Sequence, residues 1–158
     1  MIGGNVGDRL SYLRRATALL RSDCGTVVQE SPVYETAPWG NKEQYPFLNQ
    51  ALELNTDLEA EDLMQQLLNI EEQLGRRRTG KYGPRTIDID ILLFGDQVYD
   101  GPALKIPHTE LPNRRFALQP LADIAAETLH PVLNKTISQL LVECPDMLAV
   151  EEIDARHG

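Results

Sequence analysis

A chain of 158 residues with 42% apolar and 25% charged residues has the size and composition of one soluble globular domain that can bury its own core. It contains no run near the roughly 20 apolar residues of a membrane span and no signal-peptide pattern at its start. The net charge of −9 argues against non-specific binding to nucleic acid or an anionic membrane, and two lone cysteines in no metal-type spacing, Cys24 and Cys144, fit a reducing, cytoplasmic setting.

Only Met1 and Ile2 precede the glycine turn Gly3-Gly-Asn-Val-Gly7, short for a strand of about 5–6 residues. Either the first strand is a stub or the true start lies upstream. Residues 8–21 read as a helix capped by Asp8, with Leu10, Leu13, Ala16 and Leu20 near helical spacing. Residues 26–34 are rich in β-branched side chains and read as a strand interrupted by Pro32. A second extended segment covers 47–54, where Leu48, Leu52 and Leu54 share a parity. The clearest helix is 57–74: Leu63, Leu67, Ile70 and Leu74 form one stripe, Asp57 is its candidate cap and Gly75 stops it. Residues 86–94 alternate as a strand and 104–106 return as a short one, before helical patterns at 116–126 and 136–142. With a first strand ahead of the first helix, the order is βαββαβ. That is an α+β, ferredoxin-like core with an antiparallel sheet, helices on one face and an additional C-terminal lobe. The chain is expected to be a single domain, 1–158, with 145–158 a frayed tail.

Chemistry concentrates in 76–95. Side chains alternate along a strand, so Asp88 and Asp90 project from one face and Ile87, Ile89 and Ile91 from the other. The two aspartate Cα atoms then lie roughly 6.6–6.8 Å apart. Carboxylates at that spacing can converge on a pair of Mg²⁺ ions about 3.5–4 Å apart. A wet strand face is the plainer reading, but aspartate is poorly suited to strands, and two side by side repel unless a cation intervenes. A third of the 15 basic residues (Arg76, Arg77, Arg78, Lys81 and Arg85) crowd just ahead of the pair. Their alternative is a solvated helix end stabilised by its dipole. Arginine forks bind phosphate bidentately. A second rigid turn carries Pro107-His108 and Pro112-Asn-Arg114.

Together these residues resemble the 6-hydroxymethyl-7,8-dihydropterin pyrophosphokinases of folate biosynthesis, from Gly3 to about Leu141. The resemblance rests on Gly83-Pro-Arg-Thr-Ile-Asp-Ile-Asp-Ile-Leu-Leu-Phe-Gly95, on 31–40, on Phe47-Leu-Asn49 and on Pro107-His108 through Arg114-Arg-Phe116. It implies transfer of the β,γ-pyrophosphoryl unit of ATP to the pterin hydroxymethyl group, with release of AMP. It makes Asp88 and Asp90 the ligands of two Mg²⁺ ions. Arg76, Arg78 and Arg85 become catalytic cations, and Glu71, Ile91, His108 and Arg114 match ATP-side positions. Phe47 and Phe116 would sandwich the pterin ring, Asn49 and Thr36 would bond its edge, Ala37 and Trp39 lie in the same loop, and Gly3 sits in the turn beneath. Some positions differ from familiar members. Tyr82 replaces a common tryptophan, and the loop 75–85 is one residue shorter than in some relatives. Phe47 replaces a frequent tyrosine, and Ala103 stands where some relatives carry an arginine, a role Lys105 can take.

Two other classes compete. A nucleotidyltransferase-like enzyme also uses paired strand aspartates, but it would show a Gly-Ser turn before them and a third carboxylate later. A non-catalytic ferredoxin-like module needs no clustered arginines, aromatic walls and paired aspartates in one chain. The expected partners are the small-molecule substrates, with the chain a monomer.

Overall fold

The computed structural model describes residues 1–36, 45–75 and 86–154. β1 (Ile2–Gly4) is three residues long and lies inside the main sheet, between β4 (Phe47–Gln50) and β6 (Asp88–Ile89). β3 (Val33–Thr36) follows β4, and β9 (Val150–Ile153) forms the far edge, giving the order β6-β1-β4-β3-β9 with every pairing antiparallel. Two interleaved units, β1-α1-β3 with α1 over Arg9–Asp23 and β4-α2-β6 with α2 over Ala60–Gln73, make up the expected α+β, ferredoxin-like core. The first strand covers three residues and is built from the glycines assigned above to a turn: Gly3 and Gly4 are strand residues.

α1 (Arg9–Asp23) begins as read, with the Asp8 carboxylate accepting the Ser11 N–H at 3.1 Å. α2 (Ala60–Gln73) starts three residues later than expected, and Asp57 does not cap it. The Thr56 hydroxyl accepts the Leu58 N–H and donates to Cys24 O, so residues 56–58 form a turn before the helix, and Glu59 is the N-cap without a side-chain bond. Gly75 does end α2, at φ 81°.

The long extended segments are each broken in two. β2 (Thr26–Glu30) and β5 (Leu52–Asn55) pair separately from β3 and β4. The break is held at Ser31: its hydroxyl accepts the Ala51 N–H at 2.9 Å and donates to Pro32 O, and its carbonyl accepts from Gln50. The strand read over 86–94 shrinks to β6. Asp90 still exchanges backbone bonds with Met1, but beyond it Leu92 O accepts from His108 N and no ladder continues. β7 (Tyr99–Asp100) and β8 (Lys105–Ile106) form a small hairpin.

Sheet parity creates two cores. Ile2, Val33, Leu48, Ile87, Ile89 and Ile91 face α1 and α2 and pack with Leu13, Ala16, Leu63, Leu67 and Ile70. α3 (Arg115–Ala125) and α4 (Ile137–Glu143) gather a second cluster around Leu111, Leu118, Leu121, Ile137 and Leu140. The additional C-terminal lobe is therefore the layer on the sheet's other face, joined to it where the Tyr34 hydroxyl donates to Asp123 of α3. The expectation of a frayed tail is corrected for its first part. Asp146 is buried and β9 pairs with β3, because the β3 edge would otherwise expose an unpaired ladder. Residues 155–158 lie outside the described residues.

Candidate active site

The strand register lays the key residues in one row. Asp88 on β6 is opposite Gly3 on β1, Gly3 is opposite Asn49 on β4, and Asn49 is opposite Tyr34 on β3. With Ile2, Leu48, Ile89 and Val33 buried against α1 and α2, the parity of each strand turns this row toward α3. Asp90, Phe47 and Thr36 share that face by the same parity, and Thr36 is opposite Phe47. Neighbouring strands are about 4.8 Å apart, so the row runs roughly 10 Å from the aspartate to the asparagine.

Gly3 is the centre of the row because nothing larger fits. A Cβ there would lie 2.1 Å from Asn49 Oδ1 and 2.9 Å from Leu48 O. The position assigned above to a turn is thus a strand position at the middle of this face. Asn49 is 6% exposed, and Thr36 is buried with its hydroxyl lacking a hydrogen-bond partner among the described residues. Such an orphaned hydroxyl costs free energy unless a ligand completes it. Phe47 and Phe116 are both half-buried.

The acidic end carries electrostatic tension. Burial pushes the Asp90 carboxyl up from the ordinary range, and the Asp88 charge adds to it; His108, the Met1 α-ammonium and Arg114 pull it back. Burial likewise pushes the Met1 ammonium down, opposed by the charges of Asp90 and Asp88. The charges of Asp88, His108, the Met1 α-ammonium and Arg114 therefore all act on Asp90. His108 Nδ1 accepts the Glu110 N–H at 3.2 Å. Arg114 stands 5.7 Å over the Phe116 ring and so links the acidic end to the aromatic wall.

Other expected residues have different surroundings. Glu71 is 5% exposed on α2, and its Oε2 accepts the Ile89 N–H at 2.7 Å. That N–H points away from β1, so the carboxylate completes the edge of β6. The Ile91 side chain is in the first core. Lys105 is exposed on the β7–β8 hairpin and pairs with Asp100 at 3.1 Å. Ala37, Trp39, Arg76, Arg78 and Arg85 lie outside the described residues. Reading the sequence missed the residues that brace the site: Tyr34, Asp123, Arg115 and Asp146. Nothing local flags them: Asp146 is buried and Asp123 is exposed, and burial is not visible in sequence. Among the described residues, no group of three or more His, Cys, Asp or Glu could hold a metal by itself, and no helix is long and apolar enough to cross a membrane.

Comparison with known proteins identifies the family of the chain. Residues 1–126 match the family described as 7,8-dihydro-6-hydroxymethylpterin-pyrophosphokinase (HPPK). The 2-amino-4-hydroxy-6-hydroxymethyldihydropteridine pyrophosphokinase of Bacillus subtilis is 43% identical over 127 residues, covering 80% of this chain and 76% of that protein. The enzyme of the same name from Aquifex aeolicus is 38% identical over 142 residues, 90% of this chain and 88% of its own length. Among solved structures, the HPPK-DHPS of Plasmodium falciparum aligns with a TM-score of 0.72 at 19% identity, covering 90% of this chain and 42% of that one, and so speaks for the fold alone. With the match spanning most of the chain and most of the length of two such relatives, the chain belongs to the 7,8-dihydro-6-hydroxymethylpterin-pyrophosphokinase family.

Proposed function

We propose that this chain moves the β,γ-pyrophosphoryl unit of ATP to the hydroxymethyl oxygen of 6-hydroxymethyl-7,8-dihydropterin, releasing AMP, with Mg²⁺ held by Asp88 and Asp90. The supporting observation is the row Asp88–Gly3–Asn49 on one sheet face, closed at its acidic end by His108 and Arg114.

The donor set fits magnesium. Both ligands are hard carboxylate oxygens, and the rise in the Asp90 pKa, due mainly to burial and then to Asp88, marks charge that a divalent cation would relieve. Two protein carboxylates leave the remaining positions to phosphate and water, the usual manner of Mg²⁺ binding. When bound, Mg²⁺ supplies neutralisation of the phosphate charge. Arg114 and His108 then contact the nucleotide's phosphates. Arg76, Arg78 and Arg85 add positive charge, and Lys105, Glu71 and Ile91 complete the ATP side. A flat heterocycle calls for two aromatic faces and a few polar edge contacts. Phe47 and Phe116 provide the faces; the Asn49 amide and the Thr36 hydroxyl provide the edge, with Ala37 and Trp39 beside it. The absent side chain of Gly3 leaves depth for the ring. A monomer suffices, since every group comes from one chain, and two buried free cysteines suit a reducing cytoplasm.

Incubation with ATP, Mg²⁺ and the reduced pterin should yield AMP and the pterin diphosphate. Asp88→Asn should lose about 10²–10³ in turnover. ADP as the product, or full activity in that variant, would refute the assignment.

A further inference from the structure

α3 begins without a cap of its own. Its N-cap is Arg114, which makes no side-chain cap bond, and an unpaired N–H at a half-buried helix start is unfavourable. The acceptor comes from 31 residues downstream. Asp146, 7% exposed, accepts the Arg115 N–H on Oδ2 at 3.1 Å and the Leu148 N–H on Oδ1 at 3.0 Å. Its main-chain carbonyl accepts Arg115 Nε at 3.0 Å, and Cys144 O accepts Nη2 of the same guanidinium at 3.5 Å. Arg115 is thereby held at both backbone and side chain.

Its neighbours in sequence are Arg114, whose charge reaches Asp90, and Phe116, whose ring lies under the Arg114 guanidinium. Shortly after Leu148 the chain joins the sheet as β9, with Val150 opposite Thr36. Residues 144–153 thus brace the start of α3 and the strand that carries Thr36, although they lie beyond the 1–126 of the family match.

We propose that Asp146 is a positioning residue for the pterin pocket, locking Arg115 so that Phe116 and Arg114 stand correctly over the face formed by Asp88, Gly3 and Asn49. The proposal rests on Phe116 being a pocket wall. A carboxylate that only stabilised the fold would lower the melting temperature and leave the kinetics of folded enzyme untouched. A positioning residue moves KM without moving kcat.

Steady-state kinetics on Asp146→Ala, Asp146→Asn, Arg115→Ala and Phe116→Ala decide the matter, at a temperature where circular dichroism shows each to be folded. Asp146→Ala should raise KM for the pterin about tenfold, a loss of about 1.4 kcal/mol, with a smaller rise for ATP and kcat within about twofold. Asp146→Asn, which keeps one of the two acceptor oxygens, should raise it only about threefold. Arg115→Ala, which removes the bonds to the Asp146 and Cys144 carbonyls, should raise KM for the pterin in the same way. Wild-type KM in folded Asp146→Ala or a parallel fall in kcat would overturn the proposal. If Asp146→Ala does not fold, a KM rise of about threefold in Asp146→Asn sustains it and an unchanged KM ends it. Unchanged KM in Phe116→Ala would instead defeat the pocket assignment.

Discussion

Gly3 has no side chain, and that absence shapes the middle of the row from Asp88 to Asn49. A methyl group would fall 2.1 Å from Asn49 Oδ1 and 2.9 Å from the Leu48 carbonyl, and the second of these is backbone that cannot rotate away. Gly3→Ala should therefore destabilise the protein by about 1–3 kcal/mol, read from urea unfolding, and should raise KM for the pterin by displacing the Asn49 amide. Unchanged stability would mean that β1 shifts freely between its neighbours. At this scale much was legible. The alternation through 87–91 put three isoleucines inward and two aspartates outward, and burial bears out the isoleucines. The role of Gly3 was not legible, because a glycine-rich run looks like a turn until Asn49 and Asp88 are seen on either side of it.

Elements depend on partners that lie far away in sequence. β6 has β1 on one side only, and its outward Ile89 N–H is taken by the Glu71 carboxylate from the last turn of α2. Glu71→Leu would leave that buried N–H unsatisfied, a loss of about 1–3 kcal/mol, and amide exchange at Ile89 should quicken. Glu71→Gln keeps an acceptor and should lose less. Equal effects from the two variants would show that the bond is unimportant. Helix existence was readable from the Leu63–Leu67–Ile70 stripe, but the cap was not. Asp57 has the right chemistry, and the chain makes a Thr56-centred turn first. The strand over 86–94 was overextended for a related reason: alternation marks which way side chains point, while a ladder also needs a neighbouring backbone.

At the scale of the whole molecule, the C-terminal layer is tied to the sheet by the Tyr34–Asp123 hydrogen bond. Burial first, and then that bond, push the Tyr34 phenol up to about 12. An unfolded tyrosine ionises near 10. The native state therefore holds a proton that the unfolded state has released between those values, and stability falls as pH rises through that window. The contribution is complete below about pH 10. Urea midpoints followed into alkaline solution should decline more steeply for the wild type than for Tyr34→Phe; parallel curves would show that the proton is not held there. Tyr34 sits in the same row as Asn49, Gly3 and Asp88, so this tie also fixes the distance between the sheet face and α3.

The amino-acid sequence alone determined the period of each element, the α+β order, the acidic pair and the family resemblance, because these depend on spacing along one chain. Tertiary structure decided what closes each edge: β9 on β3, Glu71 behind β6, Asp146 at the start of α3. A polar group buried by folding must find a partner, but that partner can sit anywhere in the chain. Cys144 to Leu148 carry no local signal that their task is to hold Arg115, since the helix end they complete is more than a score of residues away and becomes an unsatisfied donor only once the layers have packed.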